Sequence, residues 1–378
     1  MNAETNTRVK ALLEQLIATG EELGLQVAAY KDGQLVIDAW AGVADPATGR
    51  KVDGDTLFTV FSTTKGMLYA AIHILAERGL LDYEDTVARF WPAFAARSKG
   101  GVTIRQVLDH SAGVPQMPDG VTPEDICDWD RMCSAIADLP PLWEPGTKTG
   151  YHALTIGWIL GEVLRRIDGR SAAQFVSEEI CRPLGLRNLF FGIPEEAEGR
   201  VANLVDAPDP EGLPVRLPFF DRAIPPHLPA MASLFNRPDV RRASIPAAGG
   251  IMNARDLARF YAGMSTGVDG VRLIPPARTA LVAREQRRDM DVVLGLPIRK
   301  GLGYFLPGEN AESISDSPNA FGHPGAGGSV GYADPTHGLA VGFAKTRLVS
   351  DLDRWSASGV KVTQRIREAL GITPSSTE

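Results

Sequence analysis

The arrangement that most constrains this chain is a pair of β-hairpin patterns placed at its two ends with a long helical stretch between them. Near the start, QVAAYKDGQLVIDAW carries two apolar, β-rich runs around Lys31-Asp32-Gly33, whose Asp-Gly pair suits a tight turn. Near the end, GGSVGYAD and LAVGFAK flank Pro335-Thr336-His337-Gly338 as a second hairpin, and a helix around Val360 to Leu370 closes the pattern. Isolated hairpins are marginal in water, so the two ends are expected to build one sheet together. Residues 1–80 and 246–378 are therefore read as one α/β body. Residues 81–245, mainly helical and loop-like, are read as an insertion with the active site in the cleft between the two parts. The proline-rich passage LPFFDRAIPPHLPA, and more widely residues 207–245, is expected to line that cleft.

The chain has 378 residues, enough for a full hydrophobic core, and its 44% hydrophobic and 22% charged content is that of a globular protein. Its formal net charge of −7 comes with interspersed signs and no basic block, so neither nucleic acid nor a membrane surface is an expected partner. The N-terminal stretch reads as an amphipathic helix with Val9, Leu12, Leu13 and Leu16 on one face rather than as a signal peptide. No apolar run reaches the roughly 20 residues needed to cross a bilayer. Three cysteines (Cys127, Cys133, Cys181) without a C-x-x-C pair suggest neither a disulfide framework nor a zinc site. Reduced thiols, a cytoplasmic location and no cofactor or metal are the resulting expectations.

A third strand pattern, Leu57 to Phe61, runs into Ser62, and Lys65 to Arg78 then shows helical spacing that ends at Gly79. Ser62-Thr63-Thr64-Lys65 places a hydroxyl and an amine three residues apart, within reach on one helical turn. A serine needs a base to become a nucleophile. A lysine is one only where burial and a helix N-terminus disfavour its ammonium form. Free N–H groups at the same helix start can receive an oxyanion. With 18 serines and 9 lysines, the pattern arises by chance about 0.4 times, and Ser358-Gly359-Val360-Lys361 repeats it. That copy lacks a preceding strand and later motifs. An ordinary serine N-cap with a solvated lysine is the bland alternative for Ser62.

From about residue 25 to 345, six segments occur in an order that resembles the serine β-lactamase and penicillin-binding-protein superfamily, especially class C β-lactamases and family VIII carboxylesterases. They are FSTTKGM, VTIRQVLDHSAGVP, WEPGTKTGYHALTIGWILGEV, ICRPLGL, PAAGGIMNARDLARF and FGHPGAGGSVGYADP. The resemblance implies an α+β fold: a mainly antiparallel sheet flanked by helices, with an inserted, mostly helical domain. It makes Tyr151, at the head of a helical stretch, the third catalytic group beside Ser62 and Lys65. A phenol flanked by a lysine is then expected to be partly ionised and to shuttle the proton, titrating with the lysine as a coupled pair. It also implies that the N–H groups of Ser62 and Ala326 form the oxyanion hole, with Gly325, His323 and His152 as candidate substrate-binding residues. Structural roles for His323, His152 and His110 remain open.

Two departures bear on the substrate. Class C β-lactamases carry an asparagine two places after the tyrosine, where this chain has Ala153. They also carry Lys-Thr-Gly on the strand edging the cleft, where this chain has His323-Pro324-Gly325. A permanent cation is replaced by a group mostly neutral at pH 7, which favours uncharged esters. The literal Lys148-Thr149-Gly150 precedes Tyr151 and lies in the wrong segment. Gly327-Gly328-Ser329-Val330-Gly331 matches the G-x-S-x-G elbow, but its serine leads into a strand rather than a helix. The expected function is a carboxylesterase acting on short-chain esters through a Ser62 acyl-enzyme, with acyl transfer as a side activity. β-Lactam or D-amino-acid peptide hydrolysis, and a non-catalytic binding protein on the same fold, are the alternatives.

Overall fold

The computed structural model describes residues 3–207, 217, 219–308, 315, 317–349 and 357–372. Strands β1 (Gly24–Lys31) and β2 (Gln34–Asp45) form the first hairpin, with Asp32 and Gly33 both at positive φ, 49° and 76°. That backbone matches the twist of antiparallel strands, which is why Asp-Gly serves here. The short β3 (Arg50–Lys51) extends β2, and four further strands complete the fold's N-terminal and middle sections: β4 (Phe58–Thr59), β5 (Leu189–Phe191), β6 (Val205–Asp206) and β7 (Gly250–Met252). The C-terminal strands are β8 (Phe321–Pro324), β9 (Val330–Asp334), β10 (Leu339–Lys345) and β11 (Arg347–Leu348).

The two chain ends meet as expected: β1 runs antiparallel to β10, with Leu25 opposite Lys345 and Lys31 opposite Leu339. The main sheet has the order β3-β2-β1-β10-β9-β8, and its ladders are antiparallel. Nearly every residue of β1 and β10 is buried, because both faces are covered. The N-terminal helix Ala3–Ala18 packs on β2 and on the C-terminal helix Ala357–Ala369, burying Val9, Leu13 and Leu16. Helix Ala254–Met264 packs on the strands β1, β10 and β9. Its approach is close enough that a Cβ at Gly342 of β10 would lie 2.5 Å from the Ala254 carbonyl oxygen, so only glycine fits.

The middle of the chain is less purely helical than its sequence pattern suggests. It supplies β5, which pairs with β7 beside β4, and β6, which pairs in parallel with β11. One buried cluster runs from Ala28 through Ile156 to Ala344, so sheet and helices share a core. Helix Lys65–Glu77 lies inside it, with every residue from Lys65 to Leu75 buried, and packs on helix Thr155–Asp168. It ends at Arg78, with Gly79 at φ 68° just beyond. Among the described residues, no helix is long and apolar enough to cross a membrane.

Candidate active site

The strand expected over Leu57 to Phe61 shortens to Phe58–Thr59, because Phe61 turns the chain with a φ of 48°. A bulky residue in that region costs of order 1–3 kcal/mol and persists only where its surroundings hold it. Here the Phe61 ring is buried edge-on against Phe235, with centroids 5.0 Å apart. The strained residue starts a 3₁₀ turn, Phe61–Thr64, which leads into the helix beginning at Lys65. Ser62 therefore sits half-buried at the mouth of a buried helix.

Lys65 Nζ stands 2.9 Å from Ser62 Oγ, 2.7 Å from the Ala153 carbonyl oxygen and 2.9 Å from that of Ala247. The side chain is fully buried, and its three hydrogen-bond partners include no carboxylate. Desolvation holds its pKa well below the ordinary lysine value of 10.5. A neutral amine has two N–H donors and one lone pair. The two carbonyls can take both donors, which leaves the lone pair for the serine proton.

Tyr151 lies in an extended loop four residues before helix Thr155–Asp168, not at the head of that helix. The loop is held open by its neighbours: the His152 N–H donates to His110 Nδ1 at 3.0 Å, and the Tyr151 N–H to Asp291 Oδ1 at 3.0 Å. The ring is buried with Lys65 Nζ 4.9 Å from its centroid, and the Ser62 side chain lies close enough to its hydroxyl to favour the ionised phenol. Burial pushes the phenol pKa up, the Ser62 side chain offsets part of this, and Asp291 adds to the rise. The expectation of a partly ionised tyrosine is thus corrected. Buried and with no ion pair between them, lysine and phenol are both favoured in their uncharged forms.

Gly325 ends β8 against this turn. A Cβ there would lie 2.1 Å from Ser329 Oγ, 2.3 Å from the Val60 carbonyl oxygen and 2.9 Å from Thr63 Oγ1, so glycine is a packing requirement. The Gly325 N–H donates to the Ser329 carbonyl at 2.7 Å, closing the loop around half-buried Ala326. Neither the Ser62 nor the Ala326 N–H has a hydrogen-bond acceptor among the described residues. Ser329 is no nucleophile elbow: its buried hydroxyl donates to the Val60 carbonyl at 2.8 Å and lies 3.3 Å from Thr63 Oγ1. It joins the Gly325 turn to the Ser62 turn.

The other sequence candidates separate clearly. His152 has both ring nitrogens engaged by backbone, Nδ1 with the Gly150 carbonyl at 2.7 Å and Nε2 with the Val114 N–H at 2.9 Å. Its candidate substrate-binding role is therefore corrected to a structural one. His323 is buried against Phe305, with ring centroids 4.6 Å apart. Its Nδ1 engages the Pro324 carbonyl at 2.7 Å, and Nε2 has no partner among the described residues. Burial, with Lys65 nearby, keeps this imidazole neutral by lowering its pKa. Ser358 hydrogen-bonds buried Glu22 and Lys345, while Lys361 pairs with exposed Glu21, so the second S-x-x-K pair is not assembled. Lys148 is exposed, and Thr149 of the literal Lys-Thr-Gly accepts from Lys300.

Of the passage expected to line the cleft, residues 208–216 and 218 lie outside the described residues. Phe219 and Ile224 pack into a cluster with Trp143, Tyr151, Val293 and Phe305, an apolar wall beside the tyrosine. Sequence reasoning missed Asp291, Lys300 and the Ala247 carbonyl. Asp291 and Lys300 belong to no recognisable motif, and Ala247, though inside PAAGGIMNARDLARF, acts through a backbone carbonyl that no side-chain pattern marks.

A serine and a buried lysine at the mouth of a helix, with a buried tyrosine beside them and an antiparallel sheet edge closing over the site, define the β-lactamase-like class of fold. A Beta-lactamase family model matches residues 9–358, and the chain belongs to that family. The "Esterase/beta-lactamase LipL" of Mycobacterium tuberculosis is 35% identical over 367 residues, spanning 92% of this chain and 82% of the relative. The crystal structure of a family VIII carboxylesterase superposes with a TM-score of 0.87 at 33% identity, covering 96% of this chain and 98% of that one. A penicillin-binding protein homologue from Caulobacter crescentus superposes with a TM-score of 0.86 at 34% identity, again over 96% and 98%.

Proposed function

We propose that the protein is a serine carboxylesterase working through an acyl-enzyme on Ser62. The observation that carries this reading is the 2.9 Å contact between Ser62 Oγ and a fully buried lysine whose other two partners are backbone carbonyls. Neutral Lys65 takes the serine proton as Oγ attacks the ester carbonyl. The N–H groups of Ser62 and Ala326 receive the developing oxyanion. Tyr151, a neutral phenol beside Ser62, donates its proton to the leaving alkoxide and is refilled from the Lys65 ammonium, which restores both groups. Water then attacks the acyl-enzyme by the same steps, and an alcohol taking its place gives acyl transfer.

The similarity to an esterase/beta-lactamase and to a family VIII carboxylesterase supports this class of reaction. The name of the mycobacterial relative also carries a second reading, β-lactam hydrolysis. Esters are favoured because the position of the drug-anchoring lysine holds His323, buried and neutral. The test is turnover of p-nitrophenyl butyrate and nitrocefin by the wild type, Ser62→Ala and Ser329→Ala. Ester turnover that is lost in Ser62→Ala and only reduced in Ser329→Ala is expected. Nitrocefin turnover equal to ester turnover would favour the lactamase reading, and activity surviving Ser62→Ala would remove the assignment.

A further inference from the structure

No motif accounts for the buried ion pair beside Tyr151. Asp291 and Lys300 have no exposed surface, and Lys300 Nζ lies 2.6 Å from Asp291 Oδ2. Burying two charges costs several kcal/mol per ion, and a well-packed apolar replacement is often as stable, so fold stability is a weak reason for such a pair. Its hydrogen bonds indicate another reason. Asp291 Oδ1 accepts from the N–H groups of Tyr151, Val293 and Leu294 at 3.0, 3.0 and 2.9 Å. Lys300 Nζ also donates to Thr149 Oγ1 at 2.6 Å, and the Val292 N–H donates to the Thr149 carbonyl at 2.9 Å. The loop carrying Asp291 thus grips residues 149–151 from both ends.

This grip falls where regular structure offers none, since Tyr151 belongs to neither helix nor strand. The Tyr151 hydroxyl is at the far end of the ring from its backbone, so any drift of the loop is carried to the Ser62 contact. Burial alone would raise the Asp291 pKa, but Lys300 and the N–H groups outweigh it and hold the carboxylate ionised. We infer that Asp291 and Lys300 are positioning residues for acyl transfer, holding the Thr149–Tyr151 backbone so that the Tyr151 hydroxyl stays on Ser62. This rests on the proposed role of Tyr151.

The test compares Asp291→Ala with Asp291→Asn/Lys300→Met, each with and without Tyr151→Phe. The asparagine keeps an oxygen for the Tyr151 N–H, and the methionine removes a stranded ammonium. Turnover of p-nitrophenyl butyrate is measured per active site titrated with a fluorophosphonate. Asp291→Ala is expected to lower kcat about 100-fold, the size of loss that a misplacement of about 1 Å produces, with KM little changed. The paired variant should recover most of the loss. On the Tyr151→Phe background, Asp291→Ala should cost less than about threefold more, because interacting sites are not additive. Should Asp291→Ala fail to fold, the same comparison is read from Lys300→Met, which removes both the Thr149 contact and the ion pair with Asp291. An unchanged kcat in the folded single variant, or a full multiplicative loss on the Tyr151→Phe background, overturns the inference while leaving the role of Tyr151 intact. Wild-type kcat in Tyr151→Phe itself would remove both.

Discussion

Replacing Gly325 by alanine tests whether the sheet edge and the Ser62 turn form one oxyanion site. The new Cβ would stand 2.3 Å from the Val60 carbonyl oxygen and 2.1 Å from Ser329 Oγ. The hydroxyl can rotate away, but the carbonyl belongs to the backbone that carries Phe61 and Ser62. Restoring even the shortest tolerated separation of 3.0 Å means a retreat of 3.0 − 2.3 = 0.7 Å. The Ala326 N–H moves with that turn and leaves the oxyanion position. Loss of one such donor costs about 10²–10³ in kcat, with KM changed far less. Overpacking should also destabilise the fold by about 1–3 kcal/mol. Steady-state hydrolysis of p-nitrophenyl butyrate per titrated site, alongside a thermal melt, separates the two effects. Adding Ser329→Ala to Gly325→Ala relieves only the hydroxyl overlap and should not restore kcat. A folded Gly325→Ala enzyme with kcat within about threefold of wild type would refute the geometry on which this rests.

Lys65→Met, which keeps most of the buried volume without a charge, should fold and lose at least about 10³ in kcat, because a thioether cannot accept the serine proton. In the wild type, kcat/KM should fall as pH drops through the Lys65 pKa, since protonation removes the base. That limb should lie well below 10.5, because burial disfavours the ammonium form. A rate that keeps rising up to pH 10.5 would contradict a desolvated lysine. Ser329→Ala removes the bond to the Val60 carbonyl, worth about 1 kcal/mol, and should lower kcat by about 5–10-fold while fluorophosphonate labelling remains on Ser62.

The features legible in the sequence were those fixed by local spacing. The Asp32-Gly33 turn set the first hairpin, and the period-2 patterns at both ends set one shared sheet. Three-residue spacing brought Lys65 onto Ser62. What the sequence concealed was long-range. Strands β5 and β6 are only three and two residues long, too short to show a period, and exist because β7 and β11 offer them an edge. Tyr151 was expected at a helix start. Bonds to His110 and Asp291, contributed from distant segments, keep residues 151 and 152 out of the helix. Asp291 is one of 46 acidic residues, and nothing around it in sequence marks it as the one beneath the tyrosine. The state of Tyr151 was misjudged because a neighbouring lysine suggests ionisation, whereas that lysine is itself buried and favoured neutral.

The most direct test of the account is to trap the acyl-enzyme and locate it. The protein is quenched during turnover of p-nitrophenyl butyrate, or labelled with a fluorophosphonate, and the modified peptide is sequenced by mass spectrometry. The adduct is predicted on Ser62, within the segment FSTTK, and should be absent from Ser62→Ala. An adduct on Ser329 or Ser358, or ester turnover by Ser62→Ala at the wild-type rate, would contradict the central claim.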